Sequence, residues 1–231
     1  MGKLIVIEGL DGSGKETQSK LLYKRLYRNG YKVMMISYPR YEKESSALVK
    51  MYLRGDFGKN PDEISPYVSS TFYAGDRYAS YKCEFEDFYN NGGIIIADRY
   101  TTSNMVHQGG KISDEEEFNK YLNWLWNLEF ELYKIPIPDK IYFLNIPLNH
   151  SIDRIEKRLN KITNGEKKDI HENNYIHLHN AYKNAKRLIN LYHWHEIDCM
   201  NKDEFRTIED INEEIYKDII DNIIKDEVTN V

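Results

Sequence analysis

The stretch Gly9-Leu10-Asp11-Gly12-Ser13-Gly14-Lys15 constrains this chain more than any other. Its G-x-x-x-x-G-K spacing follows the apolar run 3–8 directly and opens a helical pattern. Glycines let the backbone curl until successive N–H groups point inward at phosphate oxygens, and the helix that follows adds its positive N-terminal end. Lys15 then neutralises the β and γ phosphates of a nucleoside triphosphate. The loop over 9–17 thus offers Gly12, Ser13, Gly14, Lys15, Glu16 and Thr17 as candidate triphosphate contacts.

Glu16 stands where the motif takes Ser or Thr, whose hydroxyl ligates Mg²⁺. A carboxylate about 6 Å from a phosphate oxygen repels each unit charge by roughly 2–3 kcal/mol at an effective dielectric near 20. Two arrangements relieve this. Glu16 can turn outward on the first helical turn, where the helix dipole favours it, or reach Mg²⁺ directly or through water. The outward arrangement is the expected one, because Thr17 can donate to a phosphate and Asp98 can serve the metal.

Along the chain, apolar runs of strand length at 3–8, 31–37, 93–98, 139–145 and 194–198 alternate with longer amphipathic segments. The amphipathic segments predict helices over 15–28, 43–54, 63–90, 114–134, 148–160, 171–192 and 208–225. This alternation predicts an α/β fold with a five-stranded parallel sheet flanked by helices, in a single domain over 1–231. A net charge of −5 argues against a general nucleic-acid or anionic-membrane binder. Cys83 and Cys199 show neither a disulfide framework nor zinc spacing, and no segment reads as a signal peptide or membrane span, so the cytoplasm is the expected compartment. The pairs His177-x-His179 and His193-x-His195 have i, i+2 spacing, which does not place two rings on one helix face, and no metal site is expected there. Residues 154–168 gather Arg154, Lys157, Arg158, Lys161, Lys167 and Lys168 around Asn164-Gly165, which by itself reads as a solvated helix end and a basic loop.

Taken together, "IEGLDGSGKETQ", "YPRY", "FYAGDR" and "ADRYTTSN" resemble the thymidylate kinases, P-loop nucleoside-monophosphate kinases, over nearly the whole chain. The resemblance implies the P-loop NTPase fold with a small mobile lid, here about 154–169, and transfer of a phosphoryl group from ATP to dTMP with Mg²⁺. It implies that Asp11 holds the 3′-hydroxyl of dTMP, Tyr73 stacks on the base and Arg77 donates to the thymine O4. Arg99 would grip the dTMP phosphate, Asp98 would hold Mg²⁺, Ser103 and Asn104 would line the nucleoside, and Tyr38 and Arg40 would flank the monophosphate. His107 stands where relatives often carry a tyrosine that screens against a 2′-hydroxyl. Because Gly12 occupies the position of a catalytic arginine found in some members, Arg154 and Arg158 of the lid become the expected catalytic cations beside Lys15 and Arg99. The family also suggests a homodimer through helices near 63–90 and 101–134.

Two rival functions share parts of this pattern. Another P-loop deoxynucleoside or nucleoside-monophosphate kinase would share this architecture. A GTPase switch would need D-x-x-G after the third strand and N-K-x-D for guanine, but 98–101 read DRYT and 201–204 read NKDE.

Overall fold

The computed structural model describes residues 1–157, 169–172 and 174–224. Five parallel strands, β1 Lys3–Gly9, β2 Val33–Ser37, β3 Ile94–Asp98, β4 Lys140–Asn145 and β5 His195–Asp198, form one sheet in the order β2-β3-β1-β4-β5. All five expected strands are present, within two residues at every end. β1 lies at the centre, so its residues are covered on both faces and read as a continuous apolar run. Period-two alternation divides them. Ile5 and Ile7 pack with Leu22, Leu26, Ile211, Ile215 and Ile219 on one face, while Leu4 and Val6 pack with Ile36, Phe85, Ile95 and Tyr100 on the other.

The helices are α1 Lys15–Arg28, α2 Ala47–Arg54, α3 Pro66–Ser80, α4 Glu86–Asn90, α5 Thr101–His107, α6 Glu115–Trp126, α7 Leu148–Glu156, α8 Tyr175–Tyr192 and α9 Ile208–Asn222. α1 has the bounds expected from its pattern. α3 and α4 are one expected helix interrupted by a π-helical turn at Tyr81–Phe85, and a second such turn, Asn127–Leu132, continues α6. α5 lies outside the helix spans that the amphipathic pattern predicts: its seven residues are too few for an amphipathic period to show. A two-stranded antiparallel hairpin, β6 Met200–Asn201 with β7 Glu204–Phe205, also escaped the pattern. No helix among the described residues is long and apolar enough to cross a membrane.

Strand order reverses beside β1, since β2 and β3 lie to one side and β4 and β5 to the other. The crevice outside the carboxyl ends of the strands at such a point is where open α/β sheets bind ligands. The glycine-rich loop leaves β1 there, and Asp98 ends the neighbouring β3.

Candidate active site

A cavity of about 450 Å³ opens at this crevice, and most of the residues singled out by sequence line it: Asp11, Gly12, Gly14, Lys15, Glu16, Thr17, Tyr38, Tyr73, Arg77, Asp98, Arg99, Ser103, Asn104, His107 and Arg154. Ser13 lies behind the lining, its buried Oγ without a hydrogen-bond partner among the described residues. Arg40 is a difference. It is not part of the lining; its Nη1 donates to Ser80 at 2.8 Å and pairs with Glu84, which draws the guanidinium toward the π-helical turn after α3. Arg158, and the expected lid apart from 154–157 and Asp169, lie outside the described residues.

The loop is shaped by its glycines. Gly12 and Gly14 have φ of 78° and 95°, in the left-handed region that a side chain disfavours. A Cβ on Gly12 would also stand 2.9 Å from Cβ of Arg154 and 3.0 Å from the Ser151 carbonyl, so α7 packs flush against the loop. Lys15 folds back, its Nζ donating to the carbonyl oxygens of Gly9 at 2.8 Å and Leu10 at 2.7 Å. Burial, then the charge of Arg99, bring its pKa down to about 8.

Arg99 is the hinge between the two halves of the site. Its φ of 68° is a left-handed conformation that costs a non-glycine residue about 1–2 kcal/mol. Carboxylates from β1 and the loop hold it there: Nη2 pairs with Asp11, and Nη1 lies 3.7 Å from Glu8 and donates to Ser103 Oγ at 3.4 Å. Burial works against its charge, but Asp11, Glu8 and Asp98 outweigh that and raise its pKa. Glu8 is fully buried and accepts from Thr102 and Ser103 hydroxyls at 2.7 Å each, fixing the start of α5 against β1. Nothing in the sequence marked Glu8 beyond its place at the end of an apolar run.

Asp98 is buried, accepts from Ser37 Oγ at 3.4 Å, and has a pKa raised by desolvation that Lys15 and Arg99 only partly offset. Glu16 takes the outward arrangement to the extent that it pairs with Lys20 one turn along α1, at 2.7 Å. On the acceptor side, Asn104 donates from Nδ2 to the Ser70 carbonyl at 3.1 Å, and Arg77 is held by Glu129, with Nε and Nη2 each 2.6 Å from a carboxylate oxygen. Burial, then neighbouring Arg99 and His177, push the His107 pKa well below the ordinary imidazole value. The chain returns to the cavity through Asp169, the last residue of the expected lid, and then through His171 and Glu172, which the sequence gave no reason to include. Burial, then Glu172, bring the pKa of Asp169 up to about 7.

The family model for thymidylate kinase matches residues 7–204. The thymidylate kinase of Plasmodium falciparum is 29% identical over 220 residues, 94% of this chain and 90% of that protein. The probable thymidylate kinase of Pyrococcus horikoshii is 31% identical over 157 residues, 68% of this chain and 71% of that protein. The solved structure of thymidylate kinase from Candida albicans shares the fold, with a TM-score of 0.69 at 21% identity, over 96% of this chain and 92% of that one. A P-loop and a β3 tip that meet in one cavity, and matches of this extent, lead to one conclusion: the chain belongs to the thymidylate kinase family, the enzymes that phosphorylate dTMP with ATP as donor.

Proposed function

We propose that ATP lays its triphosphate in the loop 9–17 against Lys15, and that dTMP places its phosphate on Arg99 with its nucleoside among Tyr73, Arg77, Ser103, Asn104 and His107. The observation that carries this reading is the ion pair between Arg99 and Asp11, which ties the phosphate loop to the tip of β3, so that Lys15 and Arg99 line one cavity. Two anions held end to end need little covalent chemistry; positioning and charge neutralisation supply the rate. Lys15 leaves the loop carbonyls for the β and γ phosphates, Asp11 orients the sugar, and Arg154, whose Nη1 donates to the Gly12 carbonyl at 3.0 Å, sits over the loop where the migrating group passes. Asp98 fits Mg²⁺: it is a hard oxygen donor facing the cavity, and Mg²⁺ is commonly held by one or two carboxylates with substrate phosphates completing the shell. When bound, the ion neutralises charge on the phosphate oxygens.

An ADP-release assay with ATP tests the reading. ADP should form only when dTMP is present, and release that ignores the acceptor refutes it. Running dUMP, UMP and thymidine beside dTMP reads the sugar and base preference around His107. We also propose a homodimer, supported by the exposed apolar side chains Val68 and Tyr78 on α3 and Trp126 on α6. A cytoplasmic setting fits two free cysteines.

Two smaller effects follow from the same geometry. Because Glu16 has Lys20 as a partner outside the loop, Glu16→Ser should keep turnover and shift the Mg²⁺ dependence only modestly. Collapse of Mg²⁺-dependent turnover in that variant would make the carboxylate a metal ligand. The second effect concerns pH. In the free enzyme Lys15 loses its proton near pH 8, whereas a bound triphosphate favours the ammonium, so binding above that pH requires proton uptake. The KM for ATP should therefore be flat below about pH 8 and rise above it by up to about tenfold per unit. A KM unchanged from pH 7 to pH 9.5 would contradict this.

A further inference from the structure

Three imidazoles from separate segments converge at one end of the cavity, and the phosphate-binding groups do not account for them. His107 closes α5, His177 lies in the first turns of α8, and His171 precedes that helix. One ring nitrogen of each falls within 4.8 Å of the others. The ring centroids of His171 and His177 are 4.2 Å apart, and His107 stands 5.9 and 5.8 Å from them. All three are more than nine-tenths buried, at 7%, 7% and 3% exposure for His107, His171 and His177. Nδ1 of His107 and Nε2 of His177 have no hydrogen-bond partner among the described residues. Buried polar atoms are almost always satisfied, so two orphaned nitrogens in one cluster ask for a ligand that imidazoles share.

Imidazole suits zinc, copper, iron and nickel, whereas Mg²⁺ and Ca²⁺ take oxygen. We propose that His107, His171 and His177 form a binding site for a zinc-type divalent transition-metal ion, separate from the Mg²⁺ position at Asp98. Three protein nitrogens with a fourth position open make a donor set that zinc accepts, and His107 and His171 line the cavity, so the open position faces it. Tetrahedral Zn–N bonds of about 2.0–2.1 Å place nitrogens about 3.3 Å apart, a closure of about 1.5 Å or less that ring rotation can supply. A supporting shell is present. Nε2 of His171 lies 2.9 Å from the Tyr52 hydroxyl, whose oxygen also accepts from Lys111 Nζ at 2.9 Å. That contact leaves Nδ1 of His171 for the ion and fixes the ring's orientation, as partners of metal-binding histidines do. The i, i+2 spacing concerns His177 and His179 alone; the partners proposed here come from α5 and from the segment before α8.

The site needs no nucleotide, so its test is independent of the catalytic reading. The full chain, without a histidine tag and stripped with chelator, is titrated with Zn²⁺ and with Co²⁺ in nucleotide-free buffer. The expected result is one ion per chain, with the visible absorption of four-coordinate Co²⁺ and no displacement by millimolar Mg²⁺. His177→Ala, outside the cavity lining, should weaken binding at least about 100-fold, while His179→Ala, exposed on α8, should leave it unchanged. X-ray absorption of the Zn²⁺-loaded wild type should show three imidazole nitrogens at about 2.0–2.1 Å, and decides the matter alone should His177→Ala not fold. Absence of binding by the wild type, stoichiometric binding that survives in folded His177→Ala, or a shell lacking imidazoles overturns the proposal.

Discussion

Glu129→Ala is expected to lower the free energy of unfolding by about 3–5 kcal/mol, the range for breaking a buried ion pair from one side. Arg77 and Glu129 are 1% and 0% exposed, joined by two parallel bonds of 2.6 Å, and Thr101 Oγ1 adds a third contact to the same carboxylate at 2.8 Å. Without Glu129 the guanidinium keeps, among the described residues, only a 3.4 Å contact from Nη1 to the Tyr100 carbonyl, far from enough to replace its counter-charge. Domains hold about 5–15 kcal/mol in total, so the loss is a large share, and for a chain of this size it corresponds to a fall in Tm of about 6–20 °C. Removing both charges, as in Arg77→Met with Glu129→Leu, should recover most of that stability, because neither partner is then left buried alone. The double variant separates structure from recognition. If it melts near the wild type and its KM for dTMP has risen strongly, the remaining face of Arg77 touches the base; if that KM is unchanged, Arg77 serves the fold alone. A single Glu129→Ala variant that melts with the wild type would refute the structural role of the pair.

The same pair shows where sequence reasoning reached its limit. α1, the five strands and the meeting of the loop with Asp98 and Arg99 were legible because each is written locally, as a glycine spacing, an apolar run or a strand-end motif. Glu129 was not, because it faces Arg77 from 52 residues away, out of a π-helical turn that breaks the period of its helix. Arg40, expected to flank the monophosphate, pairs with Glu84, 44 residues on, a partner that no local pattern announces. Glu8 hid at the end of an apolar strand, and the histidine cluster is assembled from α5, α8 and the chain just before α8. What sequence missed, in each case, was the non-local partner of a charged or titratable group, while the backbone frame that brings the partners together was readable.

Arg154→Ala is expected to lower kcat by about 10³-fold or more while moving the KM for dTMP by no more than about threefold. The side chain leaves the last turn of α7, donates to the Gly12 carbonyl at 3.0 Å, and rests 4.0 Å from the ring centroid of Phe205 on β7. Ser151, one turn earlier, donates to the Asp11 carbonyl, so the helix that carries Arg154 is fastened to the loop it overlooks. A cation positioned in this way neutralises charge that grows on the transferring group, and such charge is stabilised mainly in the transition state, which is why the loss should fall on kcat. Lysine at 154 should restore only part of the rate, because a point charge lacks the planar fork that can bond two phosphate oxygens at once. Phe205→Ala keeps the guanidinium but removes its platform, and should give a smaller fall in kcat with no change in the KM for dTMP. A loss confined to that KM, or full turnover in Arg154→Ala, would take Arg154 out of the catalytic role and leave it as a brace between α7 and the phosphate loop.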